Sequence, residues 1–110
     1  MEIGLAGETA ALSWYVENGY QLVDRNWHGA AGEVDLILKN TSQLIFCEVK
    51  FRSSQSFGSP ADAVDHRKQH RVRATAMEWL SSNKSLGFLE LRFDVAAVTP
   101  GEVTIFENSF

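Results

Sequence analysis

The chain has a single cysteine, Cys47, set inside an apolar run, so an intramolecular disulfide is excluded and a reducing compartment is the simpler setting. No uninterrupted apolar stretch approaches the roughly 20 residues that a membrane-spanning helix needs. The start, Met1-Glu2-Ile3-Gly4, carries neither the basic nor the apolar region of a signal peptide. A soluble, cytoplasmic protein without membrane association is the expectation. There is no Gly-rich phosphate loop, no Cys/His spacing suited to zinc and no nucleophile elbow, which sets aside three common chemistries at once. Repeats and low-complexity linkers are also missing. With 110 residues, 45% of them hydrophobic, the composition fits one domain spanning 1–110.

An excess of positive charge is lacking too. The net charge of −4 argues at first against a polyanionic partner. The charge is segregated, however. Lys50, Arg52, Arg67, Lys68, Arg71 and Arg73 make up six of the ten basic residues within one stretch, which holds only Asp62 and Asp65 as acids. The rest of the chain carries four basic against twelve acidic residues. Such a cluster serves either as a solvated helix face or as a seat for phosphate.

Along the chain, Leu5, Ala11, Leu12, Tyr15 and Val16 recur at helical spacing over 4–18, with Asn18-Gly19 as a stop signal. Tyr20 to Asn26, Glu33 to Leu38 and Leu44 to Phe51 read as strands. The last two form a hairpin across Lys39 to Gln43. A Ser- and Gly-rich loop, Ser53 to Pro60, leads to a helix from Ala61 to about Ser82. Phe88 to Val98 and Val103 to Phe106 complete the strands, with a turn at Pro100-Gly101. The order αβββαββ predicts an α/β fold, a mixed β-sheet flanked by helices.

The hairpin carries the chemistry. If its turn centres between Thr41 and Ser42, the face formed by Val34, Leu36, Leu38, Ile45, Cys47 and Val49 is wholly apolar and belongs to the core. On the other face Asp35 lies opposite Glu48, and Glu33 opposite Lys50. Like charges directly opposed destabilise a sheet. Two carboxylates at one point describe instead a seat for a hard divalent cation such as Mg²⁺, which keeps several waters and needs few protein ligands. Lys50, two residues beyond Glu48 on the same face, could stabilise charge on a phosphate or help deprotonate a metal-acidified water. The plainer account of Lys50 is a surface ion pair with Glu33.

Asp35 followed across a hairpin by Glu48-Val49-Lys50 resembles the signature of the PD-(D/E)xK nucleases. Gly7-Glu8 with Ala11, Gly19-Tyr20, Asn26, Gly32 to Leu36, Glu48 to Lys50 with Arg52, Gly58 with Pro60, Ala63-Val64, Lys68, Phe93-Asp94 and Asn108-Ser109-Phe110 resemble the YraN-like family of predicted endonucleases. This family is similar to archaeal Holliday junction resolvases. Cys47 stands where the family more often has Val, and Ser109 where it has Ala. The resemblance implies a restriction-endonuclease-like core, dependence on Mg²⁺ or Mn²⁺, and hydrolysis of a DNA phosphodiester bond. By position it implies Asp35 and Glu48 as metal-binding carboxylates, Lys50 as the catalytic lysine, and Glu8 as the acidic residue contributed by the first helix. Glu33 matches the acidic member of the family's GEVD motif.

Glu8 shares a face with Leu12 and Tyr15, so an acid favourably placed in the helix dipole accounts for it equally well. Lys68 lies on the stripe of Val64, Val72 and Ala76 and is expected to face the site. Arg52, Arg67, Arg71 and Arg73 are candidate contacts to a nucleic-acid backbone, with surface solubility as the alternative. The expected activity is structure-selective cleavage of branched or junction DNA. Two rivals stand beside it: a catalytically silent nucleic-acid-binding module serving recombination or repair, and a regulatory protein whose acidic bulk docks another protein. Because such resolvases act as dimers, a homodimer is a further expectation, although no interface stripe marks one.

Overall fold

The computed structural model describes residues 3–51 and 64–110. Helix α1 (Ile3–Glu17) precedes strands β1 (Gln21–His28), β2 (Glu33–Lys39) and β3 (Gln43–Phe51). Helix α2 (His66–Ser81), a single 3-10 turn at Lys84–Leu86, and strands β4 (Glu90–Thr99) and β5 (Glu102–Phe106) follow. The five strands form one sheet in sequential order. β3 and β4 run parallel, and the other neighbouring pairs are antiparallel. A parallel pair needs a long crossover, and α2 lies within it. The class is therefore α/β, with the element order read from the sequence. Among the described residues no helix is long and apolar enough to cross a membrane.

Local chemistry sets the element ends. α1 stops in a Schellman arrangement: Tyr20 N–H donates to the Tyr15 carbonyl at 3.0 Å and Gly19 N–H to the Val16 carbonyl at 3.2 Å. Gly19 sits at φ 91°, a conformation that a Cβ disfavours by about 1–2 kcal/mol. Gly19→Ala should lower the unfolding free energy by roughly that amount, seen as a lower denaturant midpoint at unchanged slope. In the hairpin, Asn40 Oδ1 accepts from Ser42 N at 3.0 Å and Gln43 N at 2.7 Å, an Asx-type clamp. It fixes the register with Leu36 opposite Cys47 and Leu38 opposite Ile45, the alignment on which the two-carboxylate argument depends.

α2 begins later than periodicity suggests. Val64 is in a bend, and Asp65 is the N-cap, its carboxylate accepting from Lys68 N at 2.9 Å. A side chain that competes for backbone donors ends the helix there. The remainder of the expected start, residues 61–63, lies outside the described residues, as does the Ser53 to Pro60 loop.

The helices pack on two separate clusters. One gathers Ala11 and Tyr15 of α1 with Leu36, Leu38, Ile45, Cys47, Ala96 and Val98. The other gathers Val72, Ala76 and Trp79 of α2 with Val34, Ile37, Leu44, Phe46 and Phe93. Both faces of the hairpin are thus buried where it is paired. Val34 departs from expectation: it joins the α2 cluster rather than the one holding Leu36. The cause lies in the strands that carry the site.

Candidate functional site

β2 and β3 remain paired only from Leu36–Lys39 against Leu44–Cys47. At the same level the β1–β2 ladder skips Asn26, which adopts a left-handed φ of 52° between the pairs Arg25–Leu36 and Trp27–Val34. The ribbon turns over at this irregularity. Trp27 and Val34 consequently pack on the α2 side while Leu36 stays with α1. Beyond Leu36, β3 no longer has β2 beside it, and the Val49 N–H needs another acceptor. Asp35 Oδ2 supplies it at 2.8 Å. Asp35 is therefore held at the point where the two strands part.

Glu48 lies beside it. Only 1% of its side chain is exposed, and Lys68 Nζ of α2 is 2.9 Å from its Oε1. Among the described residues no donor other than the Lys68 ammonium is placed against the Glu48 oxygens. Burial pushes the Glu48 carboxyl up to about 8, Asp35 pushes it the same way through its negative charge and a carboxyl–carboxyl interaction, and Lys68 opposes them. Burial of Lys68 works against its charge, but Glu48, Asp35 and Glu33 together hold its ammonium above the ordinary lysine range. The site gathers more negative charge than the one lysine neutralises. An arrangement of this kind accepts a proton or a cation.

Lys50 alternates with Glu48 along β3 and projects to the same side, half-buried, with no ion pair to a described residue. Glu33 does not reach it: Glu33 Oε2 contacts His28 Nδ1 at 3.2 Å in an exposed pair. Glu8 extends from α1, on the opposite face of the sheet from α2, and its carboxylate lies 3.6 Å from Arg25 Nε. Arg25 is fixed in turn by Thr9 Oγ1 at 3.0 Å. Among the described residues no three Asp, Glu, His or Cys side chains form a group that could hold a metal. Asp35 and Glu48 thus stand as a two-carboxylate set.

The arginines divide. On α2, Arg67 and Arg71 are exposed and, with His66 and His70, line a shallow groove of about 430 Å³. Arg73 lies about 160° around the helix from Arg71 at 100° per residue. Its guanidinium stacks 4.5 Å from the Phe93 ring centroid. Arg73 is exposed as well, on a different side of α2 from Arg71. Arg52 lies outside the described residues.

Sequence reasoning missed how α2 is braced. Glu78 accepts from Ala30 N at 3.0 Å and Ala31 N at 3.3 Å, and Trp79 Nε1 donates to Asp24 at 3.1 Å. A Cβ on Gly29 would run into the Glu78 carboxylate and, at 2.6 Å, the Trp27 ring, so only glycine permits this close approach. These ties lock the loop before β2 to the helix that carries Lys68. The run of Gly and Ala from Gly29 to Gly32 was the available signal. A buried network on the α1 side joins Arg92 to Asp94, neighbours whose structural bond the sequence suggests, and extends further than the sequence shows. Asp94, fully buried, accepts from Tyr15 Oη at 2.7 Å, Arg92 Nε at 2.9 Å and Nη2 at 2.8 Å, and Asn108 N at 3.0 Å. Arg92-x-Asp94 in an apolar strand, two residues apart and so on one face, was its signature.

Residues 7–98 match the uncharacterised protein family UPF0102. A UPF0102 protein of Saccharophagus degradans is 39% identical over 109 residues, covering 99% of this chain and 92% of its own. One from Rhodococcus opacus is 42% identical over 101 residues, covering 92% and 85% respectively. UPF0102 protein YraN of Salmonella agona is 36% identical over 110 residues, covering 99% and 84%. With a family match across most of its length and relatives this similar along nearly their whole chains, the protein belongs to the UPF0102 (YraN-like) family.

Proposed function

We propose that the protein is a Mg²⁺- or Mn²⁺-dependent endonuclease of restriction-endonuclease-like fold, hydrolysing phosphodiester bonds of DNA in the cytoplasm. One observation carries the reading: Asp35 and the buried Glu48 meet where β2 and β3 part, two carboxylates against a single lysine ammonium in contact with Glu48. A buried carboxylate met by a flexible lysine ammonium and set beside a second carboxylate fits a dication, because Mg²⁺ takes few protein ligands and completes its shell with water and phosphate oxygens. Bound there, the ion would polarise the phosphoryl group and acidify a water. Asp35 and Glu48 would hold it, Asp35 keeping its orientation through Val49 N–H. Lys50, on the face of Glu48, would attract the phosphate and offset charge building on its oxygens. Arg67 and Arg71 would draw the backbone toward α2, independent of base sequence. Contacts to the backbone alone would favour selectivity for branched or junction structure over selectivity for sequence.

A silent binding module is favoured by one feature, the Lys68–Glu48 pair, which already supplies Glu48 with a cation. Incubation with junction, flap and single-stranded DNA in Mn²⁺ separates the readings. Cleavage that disappears in both Glu48→Ala and Lys50→Ala is the expected result. DNA retained without cutting would favour the module, and cutting unchanged in both variants would overturn the proposed centre.

A further inference from the structure

Each acid that the sequence argument assigned to a metal already has a positive or donor partner. Asp35 takes the Val49 amide at 2.8 Å, Glu8 faces Arg25 at 3.6 Å, and Glu48 faces Lys68 at 2.9 Å. The three partners differ in how firmly they are held. The Val49 amide is fixed by the strand, and Arg25 is tied by Thr9 as well as by Glu8. Lys68 is different: its only ion pair with a described residue is the one to Glu48, and 30% of its side chain is exposed against 1% for Glu48. Four methylenes and a free end give it room to move outward without disturbing the helix.

We propose that Lys68 is a built-in rival of the divalent cation: its ammonium is the counter-ion of Glu48 in the metal-free protein, and it must give way when the ion binds, so that Lys68 sets the metal affinity of the site. The inference rests on the reading of Asp35 and Glu48 as metal ligands. Its physical basis is that two like charges cannot both sit against one buried carboxylate. A dication entering at Glu48 meets a unit positive charge 2.9 Å from the same oxygen, in surroundings where screening is weak. The ammonium therefore takes part of the attraction that the carboxylates would give the ion, and it repels the ion besides. In return, wherever Glu48 is ionised, the pair spares the empty protein a buried, uncompensated carboxylate. Once displaced, Lys68 lies on the same side of α2 as Arg71, within about 60° around the helix axis at 100° per residue, where its charge adds to the surface facing phosphate.

The test is direct binding of Mg²⁺ alone, with no nucleic acid, followed by titration calorimetry at pH 8.5. Lys68→Met keeps the length of the side chain and removes the charge; it should bind Mg²⁺ at least about tenfold tighter than the unaltered protein. Lys68→Arg, which keeps the charge, should bind no tighter than the unaltered protein, and circular dichroism shows whether each variant is folded. Equal or weaker binding by Lys68→Met overturns the inference while leaving the metal-site reading intact. If neither the unaltered protein nor Lys68→Met binds Mg²⁺, that reading falls and this inference with it. Should Lys68→Met fail to fold, Lys68→Gln replaces it with the same expected gain.

Discussion

Glu48→Gln should make the metal-free protein more stable at pH 8 and, in the same stroke, abolish metal-dependent cleavage. The stability half follows from linkage. In the folded protein the Glu48 carboxyl is pushed up to about 8, chiefly by burial and then by Asp35, whereas the unfolded chain ionises in the ordinary carboxylate range. Between those limits the folded state keeps a proton that the unfolded state has released. Stability contributed at this residue therefore falls as pH rises from about 5 to about 8, the reverse of a salt-bridged carboxylate. Lys68 does not alter the window, since its raised pKa affects stability only above the ordinary lysine range. Glutamine has no proton to lose. The advantage of the variant over the unaltered protein in chelator should be near zero at pH 5 and grow to on the order of 2 kcal/mol by pH 8, some 10 °C in Tm for a domain of this size. If Glu48 is a metal ligand as proposed, saturating Mg²⁺ should narrow the gap by stabilising only the protein that retains the carboxylate. Cleavage should fall by about 10² or more, the cost of losing a ligand and its charge. A gap that is flat with pH would show that Glu48 is ionised throughout.

Asp94→Asn is expected to produce the largest loss of stability of any single polar change. Arg92 is 5% exposed, and its guanidinium makes two hydrogen bonds to Asp94, with further contacts to Tyr20 and Gln43 at 3.0 Å each and to Glu107 at 3.4 Å. Asp94 also accepts from Tyr15 Oη, tying α1 to β4, and from the Asn108 amide, tying the chain end after β5. Removing the negative charge leaves a buried guanidinium without its counter-ion, which costs about 3–5 kcal/mol. For a domain of this length that corresponds to a fall in Tm of about 15–25 °C. Thermal unfolding followed by circular dichroism reads it directly. A fall below about 5 °C would mean that Glu107 and the two neutral side chains can compensate Arg92 without Asp94.

The parts of the fold that could be read from sequence are those fixed by local chemistry. The hairpin register followed from the turn around Thr41 and Ser42 because the Asn40 side chain clamps that turn. The end of α1 followed from Asn18-Gly19 because the positive φ requires glycine. Lys68 could be placed on the inner stripe of α2 by spacing alone, and it lies there against Glu48. What failed depended on several strands at once. Strict alternation put Val34 with Leu36, but the left-handed Asn26 on the neighbouring strand turns the ribbon over between them. No pattern within β2 records that. Arg71 and Arg73 are two residues apart, so a helix places them on different sides, and Phe93 on a distant strand receives Arg73. Glu8 shares the inner face of α1 as expected, but its partner Arg25 comes from β1 and is invisible to periodicity.

Whether Asp35 and Glu48 together hold a divalent cation is tested most directly by Mn²⁺ soaked into crystals of the protein and located by its anomalous scattering. A peak within coordination distance of both carboxylates, with the Lys68 ammonium moved away from Glu48, is the predicted result. Bare carboxylates with Lys68 still against Glu48, while Mn²⁺ sits elsewhere on the surface, would contradict it.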